Sequence, residues 1–139
     1  MRVQDWPQRL DAYIAECGKK TFTWGEWDCC MFAADVVREM TGVDYAGVLR
    51  GAYTDREGAN AVVSDHGSLQ AFITSLLGEP VHPSVALRGD VVLAMIKIGD
   101  GTEVGECLGI CLGAHCAFPK ARGLKFERTL TVRCAWRIE

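Results

Sequence analysis

The segment from Trp24 to Asp35 carries an Asp-Cys pair at the point where a polar loop gives way to a helix. Asp28 is a favoured N-cap residue, and the small and apolar residues after it predict a helix from about Cys29 to Thr41, ended by Gly42. A thiol in the first turn of a helix feels the positive end of the backbone dipole. This favours the thiolate, the form of cysteine that attacks carbonyl groups. Cys29 is therefore the candidate nucleophile, and its chemistry depends on whether a base lies beside it.

Helical periodicity fills the first half of the chain, and strand-like runs fill the second half. Asp5, Asp28, Thr54 and Ser68 are predicted to begin four helices. The predicted strands are residues 90–98, 106–112, 115–118, 124–127 and 130–138. Helices followed by an antiparallel sheet indicate the α+β class. The length of 139 residues suits one domain with one core over residues 1–139.

The composition argues against several classes of partner. The formal net charge is −3 at pH 7 and Lys19-Lys20 is the only adjacent basic pair, so we expect no nucleic-acid binding. No apolar run approaches the roughly 20 residues of a membrane-spanning helix, so we expect no membrane span. The first residues lack the apolar stretch of a signal peptide, which predicts synthesis and folding in the cytosol.

The seven cysteines are expected to be mostly buried small side chains rather than a disulfide framework, since their number is odd and the cytosol is reducing. Cys107 and Cys111 have the same parity on a predicted strand. Four residues of a strand span roughly 13 Å, which is too far for one zinc ion with Zn–S bonds of about 2.3 Å. Because no Cys-x-x-Cys spacing occurs either, we expect no metal and no cofactor.

Three segments form an ordered set along the chain: Trp27–Phe32, Arg88–Val92 and Cys107–Gly113. Together they resemble the NlpC/P60 family of papain-like cysteine peptidases, which cleave peptide bonds in bacterial cell walls. In that family an Asp-Cys pair begins a helix, a Gly-Asp pair opens the first strand, and a later strand supplies a histidine as general base. The resemblance implies a papain-like fold with Cys29 as the nucleophile.

Further segments resemble a small phage-encoded branch of this group, found among tail genes. They are Phe22–Gly25, Thr41–Asp44 and Ala135–Arg137. This resemblance implies other phage tail proteins as partners. It also implies a location in the host cytoplasm during assembly and in the virion tail afterwards.

The chain departs from the family at the base. Cys107 stands where the family has its histidine, and a neutral thiol is a poor general acid for the leaving amine. His115, just past a Gly113-Ala114 turn, is the best alternative base, because the strand after the base-carrying one supplies a further polar site residue in the family. The competing interpretation is that His115 is an exposed turn residue. His66 and His82 are interpreted as loop residues.

Three residues around the nucleophile are candidates for binding. Trp24 and Trp27 are interpreted as core or groove walls, and Asp28 mainly as a helix cap.

Two functions follow. The first is a tail-tip or tail-assembly protein that keeps a degenerate NlpC/P60-like fold for protein binding and has lost hydrolysis. The alternative is an active peptidase or amidase that cleaves peptidoglycan stem peptides with Cys29 as nucleophile and His115 as base. The missing histidine favours the first function.

Overall fold

A computed structural model describes residues 1–99 and 101–139, and within them four α-helices precede five β-strands, which confirms the predicted α+β class. The helices are α1 (Trp6–Cys17), α2 (Cys29–Thr41), α3 (Arg56–Ser64) and α4 (Leu69–Leu77). The strands are β1 (Val91–Lys97), β2 (Val104–Cys111), β3 (His115–Pro119), β4 (Leu124–Arg128) and β5 (Cys134–Trp136). In the described part of the chain, no helix has both the length and the apolar character needed to cross a membrane.

Side-chain caps fix where two of the helices begin. Asp28 accepts a hydrogen bond from the backbone N–H of Met31 at 2.9 Å, and Ser68 accepts one from Ala71 at 3.0 Å. Each cap satisfies a backbone donor that the first turn of a helix leaves without a partner. The sequence prediction is confirmed at both positions.

The start of α3 differs from the prediction by one residue, and α1 begins after Asp5 as predicted but without a side-chain cap. Asp55, one residue after the predicted Thr54, caps α3 by accepting a hydrogen bond from the N–H of Gly58 at 2.7 Å. Asp5 precedes α1 but makes no cap bond, because its backbone lies outside the extended region that an N-cap requires. Its carboxylate instead pairs with Arg9, one turn further along, at 2.9 Å.

The sheet is antiparallel with the strand order β4-β3-β2-β1-β5. β1 pairs with β2 along its whole length and places Ala94 opposite Cys107. On the other side of β2, Cys111 lies opposite Cys116 of β3. β2 is therefore an interior strand, and residues on it are held by neighbours on both sides.

The last strand is much shorter than predicted. Only Cys134–Trp136 pairs with β1, and Thr129–Thr131 forms a 3₁₀ turn before it. The prediction of a strand over residues 130–138 is therefore wrong over most of its length. Apolar residues do recur in this stretch, but Leu130 lies on the turn and is 73% exposed.

One hydrophobic core joins the helices to the sheet. Phe32 and Met40 of α2 are fully buried together with Leu93, Ile110 and Trp136 of the strands. Burying a large apolar side chain contributes roughly 1.5–3 kcal/mol. These contacts anchor α2 to the sheet, and they thereby fix the position of the residue that begins α2.

A buried carboxylate ties the two ends of the chain to the start of β1. Asp90 is 1% exposed and accepts hydrogen bonds from the side chain of Arg2 at 3.2 Å, from the N–H of Ile138 at 3.2 Å and from the N–H of Leu87 at 2.8 Å. Arg2 also donates to the carbonyl of Ile138 at 2.7 Å. This geometry gives Asp90 a structural role.

Replacing the carboxylate that joins the chain ends is expected to destabilise the fold. The Asp90→Ala substitution leaves Arg2 without its partner and removes the acceptor of the buried Ile138 N–H and of the partly buried Leu87 N–H. We expect the free energy of unfolding to fall by about 3 kcal/mol, the size typical of breaking a buried ion pair. Urea denaturation of the variant beside the wild type measures this.

The matched control is Asp5→Ala, which removes an ion pair whose two side chains are 50% and 60% exposed. Exposed pairs contribute little. A loss at Asp90 no larger than the loss at Asp5 would contradict the structural role assigned to Asp90.

Candidate functional site

Cys29 stands at the first position of α2, directly after a capping carboxylate that is held from three directions. Asp28 is 1% exposed and accepts hydrogen bonds from Met31 N–H at 2.9 Å, Gly25 N–H at 3.0 Å and Tyr53 Oη–H at 2.7 Å. Burial raises the pKa of the Asp28 carboxyl, and these three donors oppose that rise. With all its donors inside the protein, Asp28 positions Cys29 and does not face a partner.

The loop before α2 depends on a close backbone approach at Gly25. Its φ is +81°, a conformation that side-chain-bearing residues rarely adopt, and a Cβ built there would lie 2.0 Å from the carbonyl oxygen of Tyr53. The N–H of Gly51 donates to the Gly25 carbonyl at 2.9 Å. This contact brings the Tyr53 hydroxyl to Asp28.

Three thiols meet at the start of α2 and form a thiol cluster of Cys29, Cys30 and Cys107. Cys29 is 5% exposed and Cys107 is fully buried on β2. The thiols of Cys107 and Cys30 and the backbone N–H groups of Leu108 and Cys30 are the neighbours of the Cys29 sulfur, and the Cys107 thiol itself donates to the carbonyl of Leu108 at 3.7 Å. Cys107 therefore lies beside the candidate nucleophile.

The thiol cluster favours one ionised sulfur. The neighbouring thiol of Cys107, followed by that of Cys30, lowers the pKa of Cys29 well below its ordinary value of 9.0, against the opposing effect of burial. The same contacts raise the pKa of Cys107 and of Cys30 above 9.0. These contacts therefore favour ionisation of Cys29 over ionisation of its two neighbours.

A cleft of about 200 Å³ opens onto Cys29. Its walls include Trp24, Arg56, Asn60, Leu69 and Glu106. The cleft joins apolar walls to a polar rim, as ligand sites commonly do, although it is smaller than the roughly 300–1,000 Å³ typical of drug-sized ligands.

Two polar residues of the rim are held in place by neighbouring elements. Glu106 accepts hydrogen bonds from the N–H groups of Leu69 and Gln70 at the start of α4, at 3.0 and 3.2 Å. Arg56 pairs with Glu103 at 3.0 Å. The rim of the cleft is therefore fixed by α3, α4 and β2 together.

None of the three histidines of the chain lines this cleft. His115 is exposed at the start of β3, where its carbonyl accepts a hydrogen bond from Leu112 N–H at 2.8 Å. Leu112 is five residues beyond Cys107, roughly 16 Å along an extended strand. Because alternate residues point to opposite faces, His115 and Cys107 also lie on opposite faces of the sheet. The interpretation of His115 as a base for Cys29 is therefore corrected.

The other two histidines contact residues outside the cleft. His66 packs against Phe72 with 4.7 Å between ring centroids, and the His82 Nδ1 atom lies 2.8 Å from Ser84 Oγ. Both lie in connecting segments, as the sequence interpretation had them.

The two tryptophans proposed for binding lie in different environments, one in the cleft and one in the core. Trp24 lines the cleft and packs edge-to-face on Phe22, with 5.0 Å between ring centroids. Trp27 is 5% exposed, packs edge-to-face on Phe32 and donates its indole N–H to Tyr13 Oη at 3.3 Å. Trp24 is thus the wall of the cleft, and Trp27 belongs to the core.

Apart from the thiol cluster, two further cysteines lie side by side on the sheet. Cys111 and Cys116 face each other across β2 and β3, and both sulfurs contact Thr129 Oγ1, at 3.9 and 3.4 Å. The hydrogen bond from Cys116 lowers the pKa of Cys111 to about 6. Neither residue lines the cleft. Among the residues that the structure describes, no group of three or more His, Cys, Asp or Glu side chains is arranged to hold a metal ion.

Tyr53 is one of the site residues that the sequence did not indicate, as are the cleft residues Arg56, Asn60 and Glu106. Tyr53 lies 25 positions after Asp28, in a segment without helix or strand periodicity. The closest sequence signal is Gly51, which has a positive φ of +73° in the turn that brings Tyr53 back to the loop.

Removing the tyrosine hydroxyl tests the support of the capping carboxylate. Tyr53→Phe deletes a buried hydrogen bond to a charged group, so we expect the free energy of unfolding to drop by about 2 kcal/mol. Thermal and urea unfolding measure the change. Tyr45→Phe, at a tyrosine that is 39% exposed, is the control and should change little. Equal effects of the two substitutions would contradict the role given to Tyr53.

The pH dependence of Cys29 alkylation tests the electrostatics of the thiol cluster. Because donors in the cluster lower the pKa of Cys29, the midpoint of iodoacetamide labelling is expected below 9.0. Cys107→Ala removes the largest of these contributions, and the midpoint should move upward. Peptide mass spectrometry at a series of pH values follows the reaction at each cysteine.

His115→Ala is the control for that experiment, since His115 lies far from Cys29. Its labelling profile should match the wild type. A midpoint that shifts in His115→Ala, or stays unchanged in Cys107→Ala, would overturn the assignment of donors.

Comparison with known proteins gives a family but no function. No curated protein and no solved structure matches the chain. A family model described as a domain of unknown function, DUF6950, matches residues 1–138, and the chain therefore belongs to the DUF6950 family.

Proposed function

We propose that this domain is a phage tail-tip or tail-assembly protein with a degenerate NlpC/P60-like fold, which uses the cleft above Cys29 to bind a protein partner. The observation that carries the proposal is the absence of an imidazole from the cleft, together with Cys107 at the position where the resembling peptidases have their base. Hydrolysis of an amide requires a group that protonates the leaving amine, and a thiol does this poorly near neutral pH.

The arrangement of elements supports the papain-like part of the proposal. α2 begins with the candidate nucleophile, and β2 brings the residue at the family's base position into contact with it. The Gly89-Asp90 pair opens β1, as a Gly-Asp pair does in the resembling peptidases. Helices first and an antiparallel sheet after them are the order that the resemblance implies.

The composition of the cleft supports binding of a peptide segment. Trp24 and Leu69 supply apolar walls, while Arg56, Asn60 and Glu106 supply polar groups around them. Aromatic and arginine side chains of this kind often contribute most of the affinity in protein–protein contacts. Other phage tail proteins are the partners that the resemblance implies.

Co-purification with phage particles tests the tail proposal. The tagged chain is expressed during phage growth, and particles and assembly intermediates are purified and examined by mass spectrometry. We expect the chain in one of these fractions, and we expect Trp24→Ala to lose retention at least tenfold, as the loss of an interface aromatic typically costs 2 kcal/mol or more. Phe126→Ala, at a β4 phenylalanine that is 54% exposed, is the control outside the cleft.

Two results would contradict this proposal. One is the absence of the chain from both particles and intermediates, and the other is equal retention of Trp24→Ala and Phe126→Ala. The first result would exclude tail proteins as partners. The second result would exclude the cleft as the binding surface.

One observation favours the alternative, an active peptidase or amidase acting on peptidoglycan. The lowered pKa of Cys29 and the nearby N–H groups of Leu108 and Cys30 are features that nucleophilic cysteines share. Incubation with purified peptidoglycan, followed by mass spectrometry of released fragments, distinguishes the two functions. We expect no release above the level of Cys29→Ala. Release that is lost in Cys29→Ala and kept in Cys134→Ala would establish the peptidase instead.

A further inference from the structure

We propose that Cys111 and Cys116 are a disulfide site, which glutathione disulfide closes across the β2–β3 hairpin while the chain folds. The two residues lie directly opposite each other on neighbouring antiparallel strands, and both are free thiols in the structure. The connection between the strands is short, and Leu112 N–H donates to the carbonyl of His115 at 2.8 Å to close it. Two thiols held opposite each other in this way have a partner for disulfide formation.

The backbone hydrogen bonds of Cys111 show that the two cysteines are a close pair. Cys111 N–H donates to the carbonyl of Asp90, and the Cys111 carbonyl accepts from Gly89 N–H, both at 2.8 Å. Both groups therefore point toward β1 and away from β3. Residues paired in this orientation in antiparallel sheets have Cα atoms about 4.5 Å apart, which lies within the roughly 4.4–6.8 Å that disulfides span. The strands thus hold the two cysteines at disulfide distance.

The two side chains also point to the same place. The sulfurs of Cys111 and Cys116 lie 3.9 and 3.4 Å from one atom, Thr129 Oγ1. Thr129 is itself fixed to the turn of the hairpin, because its hydroxyl donates to the carbonyl of Gly113 and its N–H donates to the carbonyl of Ala114. Both sulfurs therefore lie under the turn and beside the same hydroxyl.

Burial determines when the two thiols can react. Both cysteines are fully buried in the folded chain, which keeps a molecule as large as glutathione disulfide away from them. The connection from Gly113 to His115 is exposed, and local hairpins form faster than the non-local contacts of a whole fold. The disulfide therefore closes in the folding chain, after the hairpin has formed and before the rest of the domain encloses it.

The reaction is a thiol–disulfide exchange in two steps, with glutathione disulfide as the oxidant. The thiolate of one cysteine attacks a sulfur of glutathione disulfide, the S–S bond breaks, and one glutathione leaves and takes up the proton. The thiolate of the other cysteine then attacks the protein sulfur of the mixed disulfide, and the second glutathione leaves with the second proton. Two protein thiols are oxidised to one disulfide, and one glutathione disulfide is reduced to two glutathiones.

The register of the sheet singles out this pair. Within the described strands, no other two cysteines lie opposite each other. Cys107 is on the same face of β2 as Cys111, but four residues of a strand span roughly 13 Å, which is beyond the reach of a disulfide. Cys134 lies on β5, and β1 separates it from β2.

Mapping the thiols after refolding tests the proposal directly. The reduced wild-type chain is unfolded in urea and refolded in a buffer of reduced and oxidised glutathione. The remaining thiols are then alkylated, and the chain is digested with trypsin without reductant. Residues 98–120 form one tryptic peptide that contains Cys107, Cys111 and Cys116. We expect this peptide to carry one alkyl group, on Cys107, to be two hydrogen atoms lighter, and to give no fragments from cleavage between Cys111 and Cys116.

Two further measurements on the wild-type chain test the role of the fold. The cross-link should be scarcer in a chain kept in urea in the same glutathione buffer, because the register that holds the sulfurs together is then lost. Dithiothreitol should reduce the disulfide slowly in the folded chain and rapidly in urea, since folding encloses it. Neither measurement depends on the folding of a variant.

Variants confirm the identity of the pair. Cys111→Ser and Cys116→Ser should each abolish the cross-linked form of the peptide. Cys134→Ser, at a buried cysteine of β5, is the matched control and should keep it.

Three outcomes would overturn the proposal. One is a refolded wild-type chain in which Cys111 and Cys116 are both alkylated or both remain joined to glutathione. Another is a disulfide that joins either of them to a different cysteine. The third is a cross-link that is as abundant in urea as in the folded chain.

Discussion

The carboxylate of Asp28 is the constraint on which the candidate site depends. It begins α2, holds the Gly25 loop and receives the hydroxyl of Tyr53 from 25 residues away. Each of these contacts positions the same residue, Cys29, because the first turn of a capped helix has little freedom. A buried carboxylate is costly unless donors surround it, and here three do. The local order around the thiol cluster therefore has its origin in one satisfied buried charge.

Much of the fold was predictable because local rules and tertiary packing agree. The predicted and observed bounds of α2 agree, because a capping residue, an apolar helical face and a terminal glycine all mark the same segment. The prediction failed where local signals compete. Asp5 has the composition of a cap, but it pairs with Arg9 instead. Residues 130–138 contain recurring apolar residues, as a strand would. The 3₁₀ turn at Thr129–Thr131 nevertheless shortens the strand, and only the three residues of β5 pair with β1.

The candidate site was predictable only where its residues are close in sequence or resemble a family motif. Asp28 and Cys29 are adjacent and lie at a helix start, so the local sequence sufficed. That Cys107 stands opposite Cys29 was implied only by the resemblance. Tyr53 joins the site through a loop whose path depends on a backbone contact at Gly25, which no periodicity reveals. Trp24 and Trp27 are alike in sequence, and only packing assigns one to the cleft and the other to the core.

The ties at Asp90 have a consequence for the topology of the chain. Arg2 and Ile138 meet at one carboxylate, so residues 2 and 138 lie side by side at the start of β1. A short linker between them would close the backbone into a ring without displacing either end. The chain is therefore suited to circular permutation, with new ends opened in an exposed connection such as that between α3 and α4. By the same geometry, residues 2 and 138 could be joined to the two sides of a surface loop in another protein, because they lie together.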